Sequence, residues 1–257
     1  MLFRVLKNIA IAAGAYRPAK RLYRRIRPMK SRAFAEEISF LKSLLPTPSL
    51  SFDIGANVGN KSEAMLAAGA RVIAFEPNPL LMSELRAHCS GERNWMMIPA
   101  AVGSRPDILT FYARETHGLS SLDIHGVQDW QGPLAGTFSV PVVTLDAAIS
   151  SFGVPSYCKI DVEGWELEVL NGLSRPLPLL SFEFHLNDRD IPQTLRCLER
   201  LATLGEYHIN VTPAERPHFL FDSWIPLQHF VVRFPDDLKH RLTGGLLYGN
   251  IFARQVH

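Results

Sequence analysis

From Leu50 onward, short apolar runs alternate with stretches whose apolar residues recur every three or four positions, the pattern of a parallel sheet covered by helices. The spacing predicts strands over residues 50–54, 71–76, 95–101, 157–162 and 179–185. Helices are predicted over 61–68, 79–88, 145–152 and 165–171, with a further one over 191–204. Strands over 207–211 and 248–254 close the sheet. Residues 108–113 and 138–144 alternate like a hairpin, and their connection, 114–137, is longer than a turn needs, which makes it a lid or substrate loop.

Before the first strand the pattern changes character. Leu2, Val5, Leu6, Ile9, Ala10 and Ala13 share one helical face, a second basic helix fits residues 19–26, and Pro46 and Pro48 mark a break. The chain therefore divides into a basic helical extension, 1–45, and an α/β domain, 46–257. That domain carries a hairpin or lid insertion at 107–144 and a Pro- and aromatic-rich insertion at 212–247 that fits no period well.

Composition narrows the class. A hydrophobic content of 47% over 257 residues excludes disorder and is enough to bury a large core. The longest uncharged run, 130–145, is broken by Gly132, Pro133, Gly136 and Pro141, so no membrane span is predicted. Cys89, Cys158 and Cys197 are odd in number and lack C-x-x-C spacing, which points to a reducing, cytoplasmic setting without a disulfide framework or structural zinc.

Net charge is only +2, but residues 1–35 hold ten Lys or Arg and no acid, while the other 222 hold 17 cations against 25 acids, a net −8. Residues 1–32 are thus expected either to lie on an anionic membrane surface or a polyanionic partner, or to pack on the domain as a solvated helix, and the protein to be cytoplasmic or peripheral at the inner membrane face. The acidic body argues against nucleic acid as a partner.

The sharpest chemical signal is Asp53-Ile54-Gly55-Ala56-Asn57-Val58-Gly59, a strand ending in an acid and followed by a Gly-rich turn that opens a helix. Such turns let backbone approach a ligand closely. Glu76 ends the next strand, 21 residues past Gly55, where a carboxylate accepts hydrogen bonds from ribose hydroxyls. The G-x-G-x-x-G fingerprint of a dinucleotide is missing here, so the pattern favours S-adenosylmethionine over NAD.

These motifs, with Phe75-Glu76-Pro77-Asn78-Pro79, Ala100-Ala101-Val102-Gly103, Thr144-Leu145-Asp146 and Lys159-Ile160-Asp161-Val162-Glu163-Gly164-Trp165-Glu166, resemble the FkbM family of S-adenosylmethionine-dependent methyltransferases. The resemblance runs from about Leu50 to His185 and leaves out residues 1–45 and 212–247. It implies a Rossmann-like class I methyltransferase sheet of seven strands with an antiparallel last strand. It also implies O-methylation of a hydroxyl on a sugar, glycolipid or natural-product scaffold. By position, Asp53, Gly55, Asn57 and Gly59 would surround the methionine part of the cofactor, Glu76 the ribose, and Asn78 with Ala101 the adenine edge.

Asp161 ends the fourth strand, at the carboxyl edge where such sheets bind ligands. Glu183 and His185 share one face of the fifth strand and would project beside it. His185 suits a general base oriented by Glu183 or Asp161. Alternatively, Asp161, Glu183 and His185 hold a divalent cation that lowers the acceptor pKa. Glu166 reads as a first-turn acid complementing the helix dipole, and His117 in the Gly118-Leu119-Ser120-Ser121 loop as a weaker site residue. A rival from another class is a degenerate fold of this kind serving as a membrane-associated binding module; measured turnover separates the two.

Overall fold

The computed structural model describes residues 32–116, 120–122, 133–214, 216–242 and 247–256. The basic segment 1–31, His117 and much of the expected lid loop lie outside the described residues. An eight-stranded sheet runs in the order β10-β9-β11-β8-β7-β1-β2-β3. Its members are β1 (Ser49–Ile54), β2 (Ala70–Phe75), β3 (Trp95–Ile98), β7 (Tyr157–Ile160), β8 (Leu179–His185), β9 (Tyr207–Pro213), β10 (Ile225–Pro226) and β11 (Tyr248–Gln255). Strands β3, β2, β1, β7 and β8 are mutually parallel, and β11 runs antiparallel to both β8 and β9, as expected of the last strand.

The eighth strand is a departure from the expected seven: Ile225 and Pro226 pair with Ile209 and His208 at the edge. A second departure is the run 95–101. It ends as β3 at Ile98, because Pro99 has no N–H for the ladder, and resumes as β4 (Ala101–Val102) in a separate three-stranded sheet. There β4 pairs with β6 (Leu134–Val143), which also forms the expected hairpin with β5 (Asp107–Arg114), with a bulge at Ala113/Arg114.

Helices cover both faces because the inward residues alternate along each strand. On one face Phe52, Ile54, Ile160, Phe182 and Val211 meet α4 (Leu145–Phe152), α5 (Glu166–Asn171) and α6 (Asp190–Leu204). On the other face Val72, Tyr157 and Phe252 meet α1 (Arg32–Leu44) and α2 (Asn60–Ala67) through Leu41, Ala64 and Met65. Each buried side chain of this size contributes roughly 1.5–3 kcal/mol. Thr144 starts α4 by accepting a hydrogen bond from Ala147 N at 3.1 Å. α3 (Met82–His88) follows β2, and the 212–247 segment contributes α7 (Leu227–Arg233) and α8 (Asp236–Arg241), anchored by buried Phe230, Phe234 and Leu238. No helix among the described residues is long and apolar enough to cross a membrane.

Candidate functional site

The turn after β1 is fixed by backbone. Gly55 N and Ala56 N both donate to Phe75 O at 3.0 Å, tying the end of β1 to the end of β2. Gly55 holds φ +79°, and a Cβ there would sit 1.8 Å from Asp161 O, so only glycine fits this crossing of backbones. Asn57, at φ 52°, turns its N–H toward Glu76 and donates to Oε2 at 2.6 Å, while Asn78 N donates to Oε1 at 2.8 Å. Burial pushes the Glu76 carboxyl up to about 7 against the pull of these two N–H groups.

A cavity of about 610 Å³ opens at this edge. Of the residues singled out from the sequence, it brings together Gly55, Asn57, Glu76, Ala101 and Asp161. Asp53, Gly59 and Asn78 stand behind its wall. Asp53 is fully buried and accepts from Ser62 Oγ at 2.6 Å, Gly59 is the left-handed N-cap of α2, and Asn78 Oδ1 accepts from Leu80 N at 3.0 Å. The hairpin adds Phe111, Ser120 and Leu122, and Trp165 closes the far side. Two polar atoms buried at this cavity, Asn57 Oδ1 and Trp165 Nε1, have no hydrogen-bond partner among the described residues. That leaves an acceptor and a donor for a ligand.

Around the end of β7 the chemistry is electrostatic. Lys159 Nζ, only 5% exposed, donates to Asp161 Oδ2 at 2.9 Å and lies 3.7 Å from Asp53 Oδ1. Burial alone would lower the ammonium pKa, but Asp161 and Asp53 outweigh it and hold the group above the ordinary lysine value. Asp161, Glu163 and Glu183 offer carboxylate oxygens all within 4.8 Å of one another. Burial first, and then the neighbouring Asp161, pushes Glu163 up to about 9 and Glu183 up to about 10. The trio differs from the Asp161, Glu183 and His185 set expected from the sequence, because Glu163 takes the place of His185.

Glu163 reaches the group through a left-handed turn, at φ 53°. That turn is braced on both sides: buried Glu166 accepts from Val162 N at 3.2 Å and from Gly164 N at 3.3 Å, and Gln193 Nε2 donates to Gly164 O. Glu166 therefore ties down the site turn in addition to sitting in the first turn of α5. His185 Nδ1 lies 3.8 Å from Asp190 Oδ2, and its ring centre is 5.7 Å from that of Tyr248. Burial lowers the His185 pKa, with Asp190 and Asp161 opposing it. Lys159 and Trp165 were given no task from the sequence. The signal for Lys159 was available, since a lysine inside an apolar strand and two residues before an acid on the same face requires a buried partner.

Residues 53–205 match the methyltransferase FkbM domain. Over 153 residues the chain is 29% identical to the hexuronic acid methyltransferase AglP of Haloferax volcanii, a stretch that is 56% of this chain and spans only 60% of that relative's length. Among solved structures, it is similar to a precorrin-6y C5,15-methyltransferase of Geobacter metallireducens, at 13% identity and TM-score 0.46 over 87% of each chain. It is also similar to Aeropyrum pernix fibrillarin bound to S-adenosyl-L-methionine, at 12% identity and TM-score 0.44 over 86% of this chain and 75% of that one.

Proposed function

The chain belongs to the FkbM methyltransferase family, and from that membership we propose that it is an S-adenosylmethionine-dependent O-methyltransferase acting on a hydroxyl of a sugar or sugar-bearing scaffold. The observation that carries the cofactor assignment is the buried Glu76 carboxylate, held by the N–H groups of Asn57 and Asn78 at the wall of the large cavity. S-adenosylmethionine supplies a methyl group activated on a sulfonium. The residues present fit that ligand: Glu76 keeps lone pairs for ribose hydroxyls, Asn57 Oδ1 accepts from the amino end, and Ala101 and Phe111 give the adenine apolar contacts. The 29% identity to a hexuronic acid methyltransferase supports a sugar as acceptor.

Transfer to oxygen releases the hydroxyl proton, and three groups compete for it. With its carboxyl up at about 10, Glu183 is neutral near pH 7 and cannot take the proton. His185, lowered by burial, is an unprotonated imidazole there and can. Asp161, ion-paired to Lys159, stays beside the reacting edge as an acceptor that orients the hydroxyl. A second reading has one specific observation in its favour: the Asp161, Glu163 and Glu183 oxygens are close enough to share a divalent cation.

The cofactor assignment is tested by calorimetry with S-adenosylmethionine and S-adenosylhomocysteine. Glu76→Ala should weaken both by about 1.5–3 kcal/mol, the range for hydrogen bonds to a charged group. Unchanged affinity in that variant would overturn the assignment.

A further inference from the structure

A second cavity, with an empty volume of about 480 Å³, lies on the face of the sheet that α1 and α2 cover. Its floor is polar. Lys159 and Ser181 face each other across β7 and β8, and Asn250 and Thr212 do so across β11 and β9. The side walls carry Phe40 of α1 and Phe252 of β11, and exposed Arg216 and the Lys61–Glu37 ion pair also line it. This solvent-open groove sets Lys159, Arg216 and the Lys61–Glu37 pair beside hydroxyl and amide groups between aromatic rings. Those are groups suited to a ring of hydroxyls with an apolar C–H face and an acidic substituent.

The cavity also adjoins the reacting edge. Lys159 lines it, while Asp161, to which the same ammonium donates, lines the large cavity. An ammonium has three donors, and those aimed at Asp161 and Asp53 leave one more for the cavity. Asp161, one residue past the end of β7, and Glu183 on β8 follow Lys159 and Ser181 by two residues each, about 6.6 Å along an extended chain. One sugar ring covers that span.

We propose that this second cavity seats the sugar ring of the methyl acceptor, with its hydroxyls on Lys159, Asn250 and Thr212 and an anionic substituent on Arg216. The inference rests on the transferase reading and deepens it, because it names the acceptor as an acidic sugar. An acidic sugar has two sources, a uronic acid carboxylate or a sugar phosphate, and both would engage the same cation.

The test uses the full chain loaded with S-adenosylhomocysteine, followed by saturation-transfer NMR and titration with methyl β-D-glucuronide, methyl β-D-glucoside and glucose 6-phosphate. The glucuronide or the phosphate should bind at least tenfold more tightly than the glucoside, and the preferred one identifies the anion. Arg216→Ala, at an exposed position, should abolish that preference. Asn250→Leu should weaken all three sugars at least fivefold, with S-adenosylhomocysteine affinity unchanged in both variants. Sugar affinities equal to wild type in both variants, or no sugar binding by a wild type that holds S-adenosylhomocysteine, would overturn this site alone. A wild type that fails to bind S-adenosylhomocysteine overturns the transferase reading, and this proposal with it.

Discussion

The carboxyl edge of the sheet has two halves that treat negative charge in opposite ways. At the ends of β1 and β2, Glu76 meets two backbone N–H groups whose positions are fixed by the Gly55–Asn57 turn. At the ends of β7 and β8, Asp161, Glu163 and Glu183 meet one ammonium, Lys159, and one another. Burial raises Glu76, Glu163 and Glu183 alike, yet Glu76 rises only to about 7 whereas Glu163 and Glu183 rise to about 9 and about 10. Dipoles built into a turn stabilise an anion wherever the ligand is, so the first half is ready to bind before anything arrives. In the second half the repulsion is relieved only by a proton, a cation or a donor on a substrate, which is the property expected of a region that works during a reaction.

Lys159 is the group that joins the halves, so removing it should have the largest effect. Lys159→Met leaves fully buried Asp53 and half-buried Asp161 without their shared cation, and breaking a buried pair costs about 3–5 kcal/mol. Chemical denaturation of the variant should show that loss. A loss under about 1 kcal/mol would mean that the two carboxylates find other partners and that the halves are electrostatically independent.

The contrast is next sharpened by comparing rate with binding. Alanine at Asp161 or His185 should lower turnover roughly a hundredfold, about 2.7 kcal/mol of barrier, while S-adenosylhomocysteine affinity changes little. Glu76→Ala should do the reverse, with binding lost before rate. If EDTA abolishes activity and Mg²⁺ or Mn²⁺ restores it, the carboxylate trio holds a cation and His185 is not the base that matters. Wild-type rates in both alanine variants would remove catalysis from this half of the edge altogether.

How far each half was legible follows from the range of the interactions that build it. The first half is mostly local: the acid at a strand end, the Gly-rich turn and the acid ending the next strand sit within one β-α-β unit, although the backbone that demands glycine at 55 is Asp161 of the other half. The second half depends on turns that carry no period. Glu183 and His185 lie on one face as the alternation of β8 requires, but Glu163 joins Asp161 and Glu183 only because the chain takes a left-handed turn at Glu163 that Glu166 and Gln193 brace from later helices. His185 was expected to be oriented by Glu183 or Asp161. Asp190 also approaches its Nδ1, since the 186–189 connection is drawn tight by the Asn187 side chain, which accepts from Arg189 N and Asp190 N at 3.1 and 2.9 Å. The 212–247 segment resisted reading for a plainer reason: its helices are seven and six residues long, under two turns, too short for an apolar stripe to repeat.

The smallest effect discriminates best between a relieved and an unrelieved acid cluster. In the folded protein Glu183 titrates at about 10, whereas in the unfolded chain it titrates near the ordinary 4.5. A carboxyl raised by folding contributes stability that is fully present below about pH 4.5 and is lost as pH climbs toward 10, because the unfolded chain ionises and the folded one does not. Glutamine keeps the neutral shape and has no proton to lose. Glu183→Gln should therefore match wild type near pH 4 and become progressively more stable than wild type as pH rises to 8. Thermal melts across that range read it directly. A bound divalent cation would invert the result: the carboxylates would stay ionised, wild type would gain melting temperature on addition of Mn²⁺ at pH 8, and Glu183→Gln would lose that gain. The sign of one difference at one pH thus decides whether a proton or a metal ion neutralises the end of β8.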